Sequence, residues 1–322
     1  MTVTVDAGRK AEQATAPALS AGFERAVVAD LDGPPLEAGI WYPSVAAASS
    51  QQLGVYRQTV APNGAVAGHD LPLVVMSHGS GGSFDGHYDT AVALAEAGFV
   101  AAAVTHTGDN YRDQSGFTRV QNRPRHIKAL VDYMLASWPR RHVLDPARIG
   151  MFGFSAGGFT ALVVLGGVPD MTRVAPYCAA HPDEWACRKI KEHPADSSRL
   201  QTPFVHDPFV HDPFVHDPRI GAAAIAAPAI GFAFTPEGLA GIKAPIQFWR
   251  GDSDEILPHP RHAQNVYDGL PTKPEYHVVP NAGHFVFLAP STAMLEASHR
   301  KSAAIPQALI AWPSIVNSIT QS

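Results

Sequence analysis

The chain has 322 residues, a formal net charge of -5, and 16% charged against 46% hydrophobic residues. That balance supports a sizeable buried core and supplies no basic patch of the kind nucleic-acid binding needs. No apolar run approaches the roughly 20 residues of a membrane span, and the Ala-, Thr- and Gln-rich start lacks the apolar centre of a secretory signal. The expectation is a cytoplasmic protein whose residues 1–21 form a disordered tail, although an exported form with a trimmed signal would leave the same picture.

Phe23 to Asp30 and Pro35 to Tyr42 read as two antiparallel strands joined at Asp32-Gly33-Pro34. Gln52 to His69, polar and glycine-containing, reads as a loop. Leu71 to Met76 is a continuous apolar run, as in a parallel strand buried on both faces, and it ends in Ser77-His78-Gly79-Ser80-Gly81-Gly82. Tyr88 to Ala97 reads as a helix stopped by Gly98, and Phe99 to Thr105 as the next strand. Open α/β sheets bind ligands beyond the carboxyl ends of their strands. His106, Asp109 and Asn110, together with the loop residue His78, are therefore possible substrate-site residues. Arg123 to Ser137 spaces Ile127, Leu130, Val131 and Met134 as one face of a helix.

The run Arg148 to Phe152 leads into Gly153-Phe154-Ser155-Ala156-Gly157, the pattern of a nucleophile elbow. A serine there sits on a strained strand-to-helix turn, and glycines two positions to either side let the backbone double back. Gly158 to Leu165 then reads as a buried helix whose N-terminus favours a developing oxyanion. In this architecture the oxyanion donors are the amides of Ser80 and Ala156. Two further strands, Ile220 to Ala227 and Ala244 to Arg250, precede Gly251-Asp252-Ser253-Asp254-Glu255, which supplies an acid; after a strand over Glu275 to Val279, Asn281-Ala282-Gly283-His284-Phe285 supplies a base. The order Ser155, Asp254, His284 is that of an α/β-hydrolase triad, and the alternation of strands and helices predicts a mostly parallel sheet with helices on both faces.

With these motifs the chain resembles the α/β-hydrolases grouped around platelet-activating-factor acetylhydrolases and serine-type dienelactone-hydrolase-like proteins. The likeness runs from about Gly22 to about Pro290 and rests on Ile40-Trp41-Tyr42-Pro43, His78 to Gly82, His106-Thr107-Gly108-Asp109-Asn110, the elbow, Gly251 to Asp254, and Gly283 to Phe287. It implies Ser155 as nucleophile, His284 as base, Asp254 as acid, and the amides of Ser80 and Ala156 as oxyanion donors. It also favours Asp254 over Asp252, because the family's acid follows the strand-end glycine by three residues; Glu255 ranks third. Dienelactone hydrolases proper carry cysteine at the elbow, so Ser155 speaks against lactones. The stretch after Ala293 lacks the pattern of the family's last helix.

Gly166 to Arg219 interrupts the alternation where such enzymes place a lid, and it holds both cysteines. Cys178 and Cys187 either form a bridge, which the likeness favours, or stay as free thiols, which a missing export signal favours. A zinc site from these two and His181 lacks the paired spacing that structural zinc requires. The insertion ends in three copies of Phe-Val-His-Asp-Pro over residues 204–218. His206, His211 and His216 with their aspartates could form a metal tract, but three identical units fit duplication of a loop better, and the phenylalanines could supply apolar lid surface. His126, His142, His193 and His262 read as surface or structural residues.

The expected activity is therefore two-step hydrolysis of carboxylic esters without cofactor or metal, on small-molecule substrates that are neutral esters with modest acyl chains. Phospholipid sn-2 acetyl esters and aryl polyester analogues fall within that class. An amidase using the same triad and a noncatalytic binding protein on the same fold are the alternatives.

Overall fold

The computed structural model describes residues 19–192 and 214–290. Ten strands form one mixed sheet: β1 (Ser20–Val28), β2 (Leu36–Ser44), β3 (Ser49–Leu53), β4 (Tyr56–Pro62), β5 (Leu71–Ser77), β6 (Val100–Val104), β7 (Leu144–Phe154), β8 (Ile220–Ala226), β9 (Ile246–Gly251) and β10 (Glu275–Val279). Their order is β10-β9-β8-β7-β5-β6-β2-β1-β4-β3. From β10 to β6 all neighbours are parallel, and β2 runs antiparallel to both β6 and β1. This is the α/β-hydrolase arrangement that the strand and helix alternation predicts.

The central strands are apolar throughout because both of their faces are covered. In β5, Leu73 and Val75 enter one core cluster and Val74 and Met76 the other; in β7, Ile149 and Met151 oppose Phe152 and Phe154 in the same way. The first cluster is roofed by α2 (Asn122–Ala136), whose Ile127, Leu130, Val131 and Met134 are fully buried, and by α3 (Ala156–Val164). The second is roofed by α1 (Tyr88–Glu96) through Ala91, Leu94 and Ala95. Because the inner strands are parallel, every loop at their carboxyl ends opens on one edge of the sheet.

Two boundaries differ from the sequence reading. Gln52 to His69 is not all loop: β3 and β4 form a hairpin through a tight turn at Gly54, whose φ is 57°. The inward residues of β4 are Gln58 and Val60, and the Gln58 Oε1 accepts the Trp41 indole N–H at 2.8 Å. An amide occupies a core position there, so the alternation has no apolar signature. At the N-terminus, β1 already includes Ser20 and Ala21, which the sequence assigns to the tail.

In the insertion, α4 (Val174–Ala180) and α5 (Trp185–Glu192) are joined by a disulfide between Cys178 and Cys187, which decides between bridge and free thiols. Of the three repeats, only Phe214 to Pro218 lies among the described residues. Phe214 is buried in the core with its ring 6.2 Å from that of Phe159, and the His216 Nδ1–H donates to Val163 O at 2.6 Å. Phe214 is thus core rather than lid surface: the copy next to β8 is held by the sheet it feeds. The first two copies with His206 and His211, His193, and the stretch after Ala293 lie outside the described residues. His126 and His262 are buried and His142 is exposed. Among the described residues no helix is long and apolar enough to cross a membrane.

Candidate active site

Ser155 sits between the end of β7 and the start of α3 at φ 55°, ψ -114°. A non-glycine residue there carries on the order of 1–3 kcal/mol of strain and persists only where its surroundings fix it. They do so through the backbone: Ser155 N–H donates to Ala226 O at 2.9 Å, and Ser155 O accepts from Phe159 N at 3.1 Å and Ala229 N at 2.9 Å. A Cβ at Gly157 would lie 1.9 Å from Ser77 O, and one at Gly153 would lie 2.2 Å from Gly157 O. Both elbow glycines are therefore sterically required.

The Ser155 Oγ is 3.0 Å from His284 Nε2, and the His284 Nδ1 is 2.8 Å from Asp254 Oδ2. With Nδ1 protonated and facing the carboxylate, Nε2 is free to accept the serine hydroxyl proton. The other carboxylate oxygen of Asp254 accepts the amides of Ile256 at 3.0 Å and Leu257 at 2.8 Å, which locks the acid in place. His284 is 2% exposed, with the Phe154 ring centred 4.8 Å away. Asp252 is exposed, and its Oδ1 accepts Ala282 N at 3.1 Å rather than facing the imidazole. Glu255 reaches only the His284 backbone amide, at 3.4 Å.

Ser80 and Ala156 both border the pocket in front of Ser155, and among the described residues no acceptor takes either backbone N–H. The Ala156 amide is one of the orphan donors of the first turn of α3. His78, His106, Asp109 and Asn110 lie behind this loop and do not line the pocket. His78 Nε2 accepts the His106 amide at 3.0 Å, which leaves Nδ1–H to donate to Gly79 O at 2.6 Å, so the ring is neutral. Burial, reinforced by the charge of Arg123, holds both His78 and His106 well below the ordinary histidine range. Asn110 Nδ2 donates to His106 O at 2.9 Å. Asp109 pairs with Arg123 at 2.7 Å; burial raises its pKa, and the guanidinium and the Gly81 amide oppose that.

Besides Leu257, which follows β9, the pocket is walled by three groups of residues. Phe117, Thr118 and Val120 precede α2; Met171, Val174, Trp185, Ala186 and Ile190 come from the insertion; Ala229, Ile230 and Phe232 follow β8. Among the described residues no lining side chain carries a charge, and Thr118 Oγ1 is buried without a hydrogen-bond partner. Ile230 holds φ 54°, a strained value for a β-branched residue, at the pocket wall. The insertion meets the body at several points, among them Asp170 N–H to Ala233 O at 2.8 Å, the Trp185 ring 5.8 Å from that of Phe117, and a cluster around Glu184. Glu184 Oε2 accepts the Tyr177 hydroxyl at 2.7 Å and lies 3.2 Å from His262 Nε2, its Oε1 pairs with Arg261 at 2.6 Å, and Tyr177 stacks on Phe232 with ring centres 3.5 Å apart. Burial raises the Glu184 pKa, but the bonds from His262, Tyr177 and Arg261 outweigh it and bring the carboxyl down to about 2.

Ser155, His284 and Asp254, which the structure brings into one hydrogen-bonded line, are legible in the sequence because each sits on a short motif at a strand end. The sequence does not single out Arg123, Trp185 or Ile230. Arg123 opens a helix as an ordinary polar residue, and nothing local marks it as buried. The apolar lid surface was expected from the repeats, whereas the described wall comes from α4, α5 and the short turn before them.

A strand-elbow-helix serine, a histidine and an aspartate in one hydrogen-bonded line on a mostly parallel sheet define a serine hydrolase of the α/β type. Residues 69–290 match the family described as serine aminopeptidase, S33, and the chain belongs to that family of α/β-hydrolases. A comparison with curated proteins finds no significant match.

Proposed function

We propose that the protein is a serine carboxylic-ester hydrolase acting on neutral esters with short acyl groups, with Ser155 as nucleophile, His284 as base, Asp254 as acid and the amides of Ser80 and Ala156 as oxyanion donors. The observation that carries this reading is the Ser155–His284–Asp254 line opening on a pocket to which no described residue brings a charged side chain. His284 Nε2 takes the hydroxyl proton as Ser155 Oγ attacks the carbonyl carbon, and the two amides hold the resulting oxyanion. Collapse breaks the bond to the alcohol oxygen, which leaves with the proton from His284. Water then adds to the acyl-enzyme, again losing its proton to His284, and Ser155 is released with the carboxylic acid.

A second reading, an aminopeptidase, is favoured by the description of the matching family. Such an enzyme must hold a free ammonium group, and a buried cation requires a carboxylate partner. Among the described residues none lines the pocket: Glu184 is committed to Tyr177, His262 and Arg261, and Glu255 faces a backbone amide. This difference supports esters over peptides. The uncharged wall of the described residues suits a neutral acyl group, and the resemblance to the acetylhydrolase and dienelactone-hydrolase-like branch implies a short one. The complete triad weighs against a noncatalytic binding protein. The Cys178–Cys187 bridge supports an oxidising compartment over the cytoplasm, where thiols are kept reduced.

Turnover of p-nitrophenyl acetate, butyrate and octanoate against alanine and leucine p-nitroanilides tests the proposal. The short esters should be the best substrates. Preference for the anilides would replace the ester reading with the peptidase one, and no turnover of either would restore the binding-protein alternative.

A further inference from the structure

We propose that Arg123, paired with Asp109, is the positioning residue of the oxyanion hole: it ties the loop that carries the Ser80 amide to the helix that carries the Ala156 amide. The inference rests on the ester-hydrolase reading above and adds to it a residue that touches no substrate.

Arg123 is buried, and its guanidinium spends its donors in three directions. Nη1 donates to Asp109 Oδ2 at 2.7 Å, Nη2 to the carbonyl of His78, and Nε to Thr160 Oγ1 at 3.3 Å. Two of these lead to the loop. His78 lies two residues before Ser80, and Asp109 passes the connection on: its Oδ1 accepts the Gly81 amide at 3.1 Å and its Oδ2 the Ser80 hydroxyl at 3.3 Å. The loop is thus held on both sides of the Ser80 amide. The third direction leads to the elbow. Thr160 Oγ1 donates to Ala156 O at 2.8 Å, one helical turn back on α3, so the same guanidinium is linked to the residue that supplies the second amide.

A purely structural ion pair would be a poor use of this position. Taking two charges out of water costs more than their attraction returns unless the remaining donors and acceptors are also satisfied. Here the donors named are all engaged, and the acceptors outside the pair belong to the two segments whose relative placement sets the oxyanion geometry. Oxyanion donors act only where the charge develops, about 2.7–3.1 Å from it, and a misplacement of about 1 Å is enough to cost on the order of 10²-fold. The three contacts come from three different nitrogens of a planar fork; an ammonium has three donors too, but all on one nitrogen, so it cannot span the same three acceptors.

The test uses the full-length protein and three variants: Arg123→Lys, which keeps the charge beside Asp109; Arg123→Met with Asp109→Leu, which removes both charges together; and Thr160→Val, which cuts the link to α3 alone. A p-nitrophenyl alkylphosphonate counts active Ser155 by its burst of p-nitrophenol and gives the rate of phosphonylation, independently of any natural substrate. Arg123→Lys should reach the wild-type burst stoichiometry while its phosphonylation rate and its kcat on p-nitrophenyl acetate fall by about 10–100-fold with little change in KM. Its affinity for a trifluoromethyl ketone should fall in parallel. The double variant should melt cooperatively and show at least the same loss, and Thr160→Val a smaller one. Wild-type rates in Arg123→Lys or in a folded double variant would overturn the proposal. So would a loss of burst amplitude in proportion to unfolding, which is the mark of a merely structural pair. Failure of the ester-hydrolase reading has different signatures: faster turnover of anilides than of esters by wild type changes the substrate and leaves the positioning role standing, whereas no burst from wild type, or a burst that persists in Ser155→Ala, removes the Ser155 nucleophile and takes the positioning role down with it.

Discussion

Ser155 Oγ and His284 Nε2 stand 3.0 Å apart although 129 residues separate them in the chain. The sheet makes the pairing possible: β7 delivers the serine at its carboxyl end, β10 delivers the histidine at the same edge, and β8 and β9 set the spacing between them. The strained backbone at Ser155 presents its hydroxyl to that histidine. If Ser155 and His284 are the nucleophile and base proposed above, they act as one unit, and the loss of either should be as severe as the loss of both.

Ser155→Ala and His284→Ala are expected to lower kcat on p-nitrophenyl acetate to a similar floor, a fall on the order of 10⁵–10⁶-fold, with the double variant no worse. Circular dichroism should show the fold intact, because neither side chain holds the sheet together. A fluorophosphonate probe should label wild type at Ser155 alone. Clearly additive losses would mean that the two residues do not share a mechanism.

The two aspartates of the Gly251 to Glu255 loop are separated by geometry. Asp254 faces His284 Nδ1 at 2.8 Å, while Asp252 caps the Ala282 amide at 3.1 Å. Asp254→Asn presents an amide where a carboxylate fixed the tautomer, and a fall in kcat on the order of 10⁴-fold is expected. Asp252→Asn retains an acceptor oxygen for Ala282 and should stay within about 10-fold of wild type, since it touches no reacting group. Steady-state kinetics on one ester ranks them, and the reverse ranking would move the acid to Asp252.

Buried histidines make the fold acid-sensitive. Burial lowers His87 from 6.5 to about 4 and, with Arg125 and Arg123 adding to it against Asp30, His126 to about 4; His78 and His106 are lowered too, by burial first and by the Arg123 charge. In the unfolded chain these rings take up protons near 6.5 that the native state refuses until the pH is much lower. Unfolding is therefore proton-consuming in that window, so stability should hold above about pH 6.5 and fall as the pH drops towards 4. Each ring contributes up to about 1.4 kcal/mol per pH unit. Urea unfolding at a series of pH values measures the slope. His87→Asn, which can still donate to Phe287 O as the His87 Nδ1 does at 2.9 Å, should reduce that slope by about one proton. An unchanged slope would remove His87 from the account.

What the sequence makes legible is what depends on short, local rules. A parallel strand buried on both faces has to be apolar, so β5, β7, β8 and β9 stand out; an elbow has to flank its serine with glycines, because Gly153 and Gly157 have backbone where a Cβ would go. Residues whose role depends on what lies across from them stay hidden. Gln58 reads as a loop residue until Trp41 is placed opposite it, and Arg123 reads as a solvated helix start until Asp109, His78 and Thr160 surround it. Ile230 takes a backbone conformation that its β-branched side chain disfavours, so no propensity scale points to it. The disulfide likewise turned on the folding of α4 against α5, which the spacing of two cysteines does not determine.

The same disulfide should set the acyl-chain range. Val174 on α4 and Trp185, Ala186 and Ile190 on α5 form one wall of the pocket, and Cys178–Cys187 holds the two helices together across a sequence separation of 9. Closing so short a loop restricts the unfolded segment by about 2–3 kcal/mol, a stabilisation confined to the insertion rather than spread over the sheet. Reduction, or Cys178→Ser with Cys187→Ser, should therefore leave the melting of the main body within a few degrees while loosening the wall. Because these residues border the pocket in front of Ser155, long acyl chains are expected to gain most when that wall yields. The ratio of kcat/KM for p-nitrophenyl octanoate to that for the acetate is accordingly expected to rise several-fold on reduction, on the order of 1 kcal/mol of relieved exclusion. The oxidised and reduced enzymes can be compared in one assay, with the double serine variant as the control that the reducing agent should not affect. An unchanged ratio with an unchanged acetate rate would mean that contacts other than the disulfide hold the wall, and Glu184→Gln, which weakens the cluster with Tyr177 and Arg261, would then be the next variant to widen it.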